Sequence, residues 1–217
     1  MTGRIPVYLE VTSKRTFAGA IECPGWCRAG KTADDALQAL VDYADRYARV
    51  IARSRLGFNA PGSVEDLEVV ERLKGNATTE FGAPGVPPGA DHRPLREAEL
   101  NRLTTILEAS WRAFDRAAKG AEGVTLTKGP RGGGRDLPKI VEHVMGAEEG
   151  YLSALGSRRP AEAGALRKTV LTALAARARK KPVADPNKVK KLWSPRFYVR
   201  RSAWHALDHA WEIEDRS

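Results

Sequence analysis

The spacing of apolar residues changes partway along the chain, and each period predicts a different structure. Near the start the chain alternates, with Ile5, Val7 and Leu9 on one side of an extended segment, as is typical of a half-buried β-strand. A second alternating run, "TFAGAIE", follows the turn-like "TSKR", and the two runs predict a β-hairpin. The Pro-Gly pair in the next segment, "ECPGWCRAG", indicates a loop.

A helical period begins after this loop. Thr32 is a predicted N-cap, and apolar residues then recur three or four positions apart to about residue 55, as on one face of a helix. The run "DLEVVERLKG" predicts a further strand. The order β-β-α-β describes a small α+β domain, which we assign to residues 1–78.

A segment rich in proline and glycine comes next. "FGAPGVPPGADHRP" holds four prolines and three glycines, a composition typical of linkers. We therefore predict a linker over residues 79–93, at which limited proteolysis should cut first.

Four amphipathic segments follow the predicted linker, at about residues 95–119, 137–155, 161–180 and 196–215. Apolar residues recur in each at spacings of three or four, which predicts a helix with one apolar face. Four helices of similar length favour a four-helix bundle over residues 94–217. The predicted fold class is therefore α+β in two domains, with the small sheet domain first.

Three of the four histidines occupy helical positions that would let them meet. His205 and His209 are four residues apart in "WHALDHAWEIEDR", so they lie on one side of the last predicted helix and border its apolar stripe. His143 lies between Ile140 and Ala147 on the second helix, a position that also faces the interior. Three neutral imidazoles suit zinc, nickel, copper or ferrous iron, and they leave a coordination position open, as in catalytic zinc sites. On spacing alone, a metal site and ordinary packed histidines remain alternative interpretations.

Charged residues lie near these histidines in the sequence. Glu212 follows the histidine pair by about one helical turn and is a candidate catalytic base or a partner for an imidazole N–H. Arg201 precedes the pair by one turn, and Arg131 and Arg135 lie in the Gly-rich connection "TLTKGPRGGGRD" before the second helix. Guanidinium groups bind anions well, so we predict that these arginines bind substrate.

Two of these segments, "IVEHVMGAEEGYL" and "RRSAWHALDHAWEIEDR", resemble the DinB/YfiT-like superfamily of bacterial four-helix bundles. The resemblance covers about residues 94–217. It implies a divalent metal, zinc, nickel or iron, on His143, His205 and His209. It also implies a transferase or isomerase that uses a low-molecular-weight thiol and acts on a small molecule. A metal-dependent hydrolase and a regulatory or ligand-binding module without catalysis are the alternatives.

A second resemblance covers about residues 1–75. The run "FAGAIECPGWCRAGKTADDALQAL" resembles the HicB-like fold, a small α+β domain known from antitoxins and from fusions. Such antitoxins usually carry a separate DNA-binding segment, whereas here a predicted helical bundle follows. The resemblance therefore implies the fold of this domain and not the antitoxin activity.

The net charge of +9 is confined to the second part of the chain. Residues 1–90 hold 11 basic and 11 acidic residues, and residues 91–217 hold 25 basic and 16 acidic ones. A basic surface can attract nucleic acid. However, the basic stretch from Arg177 to Lys191 contains no aromatic residue and matches no recognition motif. We therefore expect a small-molecule substrate rather than nucleic acid as the partner, with a homodimer as one assembly to test.

Other features of the sequence bear on location. No apolar run approaches the roughly 18 residues of a membrane span, and the first residues, "MTGRIPVYLEVTSKR", do not resemble a secretory signal. Cys23 and Cys27 are the two cysteines, too few for a disulfide framework. We expect a cytoplasmic protein with no membrane partner.

Overall fold

The computed structural model describes residues 3–129, 134–162, 164–181 and 192–217. Within them the chain forms four strands and seven helices, which confirms the predicted mixed α+β class. The chain divides into two compact units between Arg93 and Pro94.

The first unit is built on a four-stranded sheet with the strand order β3-β2-β1-β4. Its strands are β1 (Ile5–Val11), β2 (Thr16–Ala20), β3 (Cys27–Gly30) and β4 (Leu67–Lys74). β1 pairs antiparallel with β2 and parallel with β4, and β2 pairs antiparallel with β3. Its helices are α1 (Ala33–Asp42), α2 (Ala44–Ile51) and α3 (Ala77–Phe81). The sheet is thus mixed, and the two helices between β3 and β4 make the crossover that a late parallel strand requires.

The predicted order β-β-α-β is incomplete. The segment predicted as a loop contains β3, whose four residues are too few for an alternating period to be recognised. The predicted helix after Thr32 is broken at Tyr43 into α1 and α2. Its predicted N-cap is confirmed, because the Thr32 hydroxyl accepts a hydrogen bond of 3.1 Å from the backbone N–H of Asp35.

An aromatic cluster holds the Pro-Gly corner against the core of this unit. The fully buried Trp26 donates a 2.8 Å hydrogen bond from its indole N–H to the carbonyl of Leu40. Its ring centroid lies 5.0 Å from that of Phe58 and 6.0 Å from that of Tyr47. The tryptophan therefore joins the corner before β3 to the helices, because burial of the ring is combined with a satisfied N–H.

The predicted linker is packed against the first unit. The carboxylate of Glu10, fully buried on β1, accepts hydrogen bonds from the Thr79 hydroxyl, from the backbone N–H of Gly85 at 2.9 Å and from that of Val86 at 3.1 Å. These bonds tie residues 79–93 to the sheet, and the boundary between the units falls after this segment rather than before it. The prediction of a separate linker relied on composition. Proline and glycine are equally common in a compact segment, and here backbone N–H groups of the segment bind the Glu10 carboxylate.

The second unit consists of four packed helices. They are α4 (Glu97–Gly120), α5 (Leu137–Ala154), α6 (Leu166–Ala178) and α7 (Pro195–Arg216). α7 contacts each of the other three, and α6 also contacts α4 and α5. All four predicted helices are present, although α6 begins later than predicted. In the described part of the chain, no helix has the length and apolar character needed to cross a membrane.

α7 is buried on almost every side. Its predicted apolar stripe, which includes Val199, Ala206 and Ile213, is fully or almost fully buried. Basic and imidazole side chains on this helix are buried as well: Arg196, Arg200, Arg201, His205, His209 and Arg216. Such side chains are seldom buried without partners, so they indicate where a functional site lies.

Candidate metal centre

The structure brings His143 of α5 together with His205 and His209 of α7. The three ring centroids lie 4.7, 4.9 and 5.0 Å apart, and one nitrogen from each ring can be chosen so that all three lie within 4.8 Å of one another. The Nε2 atoms of His143 and His205 are 3.2 Å apart. The predicted convergence of the three histidines is confirmed.

Local helix packing explains this convergence. His205 and His209 project from the same side of α7 because they are one turn apart. Ile140 and Val144 are fully buried on α5, and they fix the rotation of that helix so that His143 faces α7. His205 and His209 are buried, whereas His143 is an exposed residue at the edge of the cluster rather than in the predicted interior position.

Burial keeps two of the imidazoles neutral. It lowers the pKa of His205 to about 2, and the charges that His209 and Arg201 can carry act in the same direction. Burial is also the main cause that lowers the pKa of His143, with the charge of His209 next. At neutral pH both rings therefore have a lone pair available, which is the form that binds a metal ion.

The spacing of one pair of nitrogens in the triad fits a common metal. Two ligands at about 2.0–2.1 Å from a zinc ion in tetrahedral geometry are roughly 3.3 Å apart, close to the 3.2 Å between the Nε2 atoms of His143 and His205. The same distance also suits a hydrogen bond between two neutral imidazoles, one donating and one accepting. This pair therefore needs little movement to bind a metal ion, whereas nitrogens that lie within 4.8 Å of one another must approach to roughly 3.3 Å for all three imidazoles to bind the same ion.

Glu212 is engaged through both of its carboxylate oxygens. Oε2 lies 2.7 Å from Nδ1 of His209, and Oε1 accepts a 2.7 Å hydrogen bond from Nη1 of Arg216. The hydrogen bond with His209 is the largest cause that lowers the pKa of Glu212 to about 2, while burial opposes it. With Nδ1 held by Glu212, Nε2 is the nitrogen of His209 that would face a metal. So weak a base is poorly suited to accept a proton in catalysis, and the geometry favours a positioning role for Glu212 over the predicted catalytic one.

Arg216, which the sequence did not predict as a site residue, also belongs to this network. Its buried guanidinium donates from Nε to the carbonyl of Thr127 and from Nη2 to the carbonyl of Arg135, each at 2.7 Å, besides its bond to Glu212. The backbone N–H of Thr127 in turn donates to the carbonyl of Arg216 at 2.9 Å. The available signal was the i,i+4 spacing of Glu212 and Arg216, which does not distinguish a buried pair from an exposed one.

The predicted substrate-binding arginines have different positions. Arg201 is buried, with its guanidinium carbon 4.8 Å from the ring centroid of Trp204 and 5.6 Å from that of Tyr151. Arg135 is exposed, and its charge contributes to the lowered pKa values of two histidines of the triad. Arg131 lies outside the described residues.

Comparison with known proteins gives no family for this chain: no family model, no curated protein and no solved structure matches it. The resemblances to DinB-like and HicB-like proteins therefore stay predictions. The chemistry of the histidine triad and its neighbours is the guide to function.

Proposed function

We propose that the helical unit binds one divalent transition-metal ion through His143, His205 and His209 and presents it to a small molecule. The supporting observation is the convergence of three imidazole nitrogens within 4.8 Å from two helices. A lone buried histidine is commonly a packing residue, but three imidazoles in one place form a ligand set suited to zinc, nickel or iron. Three protein ligands also leave room for a further ligand.

The surrounding residues suit this role. Glu212 holds Nδ1 of His209, and Arg216 holds Glu212, so the ring is fixed before a metal arrives. Contacts of this kind beyond the ligands commonly set metal affinity. When bound, such an ion would lower the pKa of a coordinated thiol or water.

For the reaction, we propose the thiol-dependent transfer or isomerisation of a small molecule that the DinB resemblance implies. The nearby carboxylate, Glu212, has both oxygens engaged, so hydrolysis at this site would rely on metal-bound water without a carboxylate base. The choice of thiol chemistry therefore rests on the DinB resemblance, and hydrolysis is the alternative that the substrate panel tests. A module without catalysis would bind the metal and consume neither kind of substrate.

Metal content tests the first part of this proposal. Protein prepared without a histidine tag and loaded with zinc, nickel or ferrous iron should retain one ion per chain. His143→Ala, His205→Ala and His209→Ala should each weaken binding strongly. The matched control is His92→Ala, since His92 is the one remaining histidine and lies in the first unit. Equal retention by all four variants would disprove the metal centre.

A substrate panel tests the second part. The metal-loaded protein should consume a low-molecular-weight thiol in the presence of an electrophilic acceptor, and the His205→Ala variant should not. Hydrolysis of an ester or amide without thiol consumption would replace the transferase with a hydrolase. Absence of both activities in metal-loaded protein would favour the binding module.

A further inference from the structure

Arg201 is a buried cation without a complete set of partners. Arg201 is only 9% exposed. Its Nη1 atom has no hydrogen-bond partner among the residues that the structure describes. Two other buried arginines of α7 are paired with carboxylates, Arg196 with Glu99 and Arg216 with Glu212. The Tyr151 side chain hydrogen-bonds Arg201, but a buried guanidinium without a carboxylate partner is costly. The unpartnered Nη1 is the group that an anionic ligand would satisfy.

The guanidinium lies beside the histidine triad. Arg201 is one turn before His205 on α7, and both pack against Tyr151: the guanidinium carbon is 5.6 Å and the His205 ring 5.8 Å from the Tyr151 ring centroid. The ring of Trp204 also contacts Arg201, with its centroid 4.8 Å from the guanidinium carbon. Two aromatic rings thus hold the planar cation in place next to His205.

We propose that Arg201 binds the carboxylate of a small organic acid whose second donor group occupies the open position of the metal. This inference rests on the proposed metal centre. Nη1 is the nitrogen without a partner, and a guanidinium N–H forms a strong, charge-assisted hydrogen bond with a carboxylate oxygen. The aromatic side chains of Tyr151 and Trp204 would contact the apolar part of the same molecule.

A purely structural role for Arg201 predicts a different outcome on substitution. Arg201→Met keeps an apolar stem and removes the charge and the unpaired Nη1. Replacing an incompletely paired buried charge by an apolar side chain is commonly neutral or stabilising. We therefore expect Arg201→Met to unfold at or above the wild-type temperature while losing recognition of the carboxylate.

The test compares two thiols that differ in the carboxylate. Mercaptoacetate carries a thiol and a carboxylate, and 2-mercaptoethanol carries a thiol and a hydroxyl. Each is titrated into cobalt(II)-loaded full-length protein, and binding is followed by the thiolate-to-cobalt absorption band. Wild type should prefer mercaptoacetate by at least about tenfold, as expected for a hydrogen bond between charged groups, and Arg201→Met should lose that preference. Arg201→Lys should retain part of it.

Lys139→Met is the matched control. Lys139 lies one turn before His143, as Arg201 does before His205, but it is 67% exposed and pairs with Asp136. Its removal changes the net charge equally and should leave the preference unchanged. Equal affinity of wild type for both thiols, or loss of the preference in Lys139→Met as well, would overturn the role of Arg201. Failure of wild type to bind cobalt at all would instead overturn the metal centre and this inference with it.

Discussion

At the scale of single residues, polar side chains near the end of α7 are stable only because each one has a hydrogen-bond partner. His209, Glu212 and Arg216 form a connected series in which each side chain satisfies the next. Buried polar groups of this kind are stable because none is left without a partner. Removing one member should therefore affect its neighbours more than its own contacts suggest.

Glu212 should determine how tightly the triad holds its metal. Glu212→Ala frees Nδ1 of His209 and lets the ring rotate, so we expect metal affinity to fall by about 10–100-fold. The measurement is competition for zinc with a chelating dye. Glu142→Ala, which removes an exposed carboxylate beside His143, is the control and should bind like wild type. Equal affinity of Glu212→Ala and wild type would exclude this positioning role.

The residues of the triad could be predicted because helical spacing and neighbouring residues in the sequence determine which way each histidine points. The i,i+4 spacing of His205 and His209 fixes their common side of the helix, and the apolar neighbours of His143 fix its inward direction. The contacts of Arg216 with Thr127 and Arg135 were not predictable, because they join residues more than 80 positions apart through backbone carbonyls. No periodic pattern in a sequence records such a contact.

At the level of helices and strands, the two ends of α7 are fixed by buried arginines. Arg196 near the start donates to Glu99 of α4 at 2.5 Å, and Arg216 at the end holds the connection between α4 and α5. Helices of the second unit were predicted well because they are long and periodic. β3 was not, because four residues beside a Pro-Gly corner have no recognisable period.

Arg216→Ala should loosen the connection between α4 and α5. The change removes three hydrogen bonds of a buried cation and leaves Glu212 without its cationic partner, so we expect unfolding free energy to fall by about 3 kcal/mol. Arg179→Ala is the control, since its pair with Glu97 is more than half exposed on both sides, and such pairs contribute about 0–1 kcal/mol. Urea denaturation of both variants checks this, and equal losses would contradict it.

The contact between Glu99 and Arg196 should make stability depend on pH. The hydrogen bond from Arg196 is the largest cause that lowers the pKa of Glu99 to about 2 from an ordinary value of 4.5. A carboxylate with a lowered folded-state pKa stabilises the protein fully above its unfolded-state value and loses that effect as the pH falls toward 2. Glu99→Gln should therefore be less stable than wild type at pH 7, and the difference should shrink between pH 5 and pH 2. A difference independent of pH in urea titrations would exclude this contribution.

The chain as a whole divides into two compact units between Arg93 and Pro94. The charge asymmetry and the change of period predicted two parts, and the predicted start of the second domain at residue 94 coincides with the start of the second unit. The segment 79–93 was predicted as a separate linker, whereas it belongs to the first unit. The carboxylate of Glu10 explains the error, because a single buried acid orders a segment that composition marks as a linker. Only the three-dimensional position of Glu10 reveals this.

Fragments 1–93 and 94–217 should each fold alone. Each contains a complete hydrophobic core, so each should show a cooperative thermal transition. A fragment ending at residue 78 should be less stable than 1–93, because Glu10 would lose its partners at Gly85 and Val86 and be left as a buried charge. Circular dichroism melts of the three fragments test this. Equal stability of 1–78 and 1–93 would show that the segment contributes nothing to the first unit.

The most direct test of the metal centre is X-ray absorption spectroscopy at the zinc edge of tag-free protein loaded with one zinc ion per chain. The triad predicts three imidazole ligands with nitrogen atoms at about 2.0–2.1 Å from the metal, and two in the His143→Ala variant. Three imidazoles in wild type and two in the variant would establish the ligand set. A wild-type spectrum with one imidazole or none, or a spectrum that His143→Ala leaves unchanged, would contradict it.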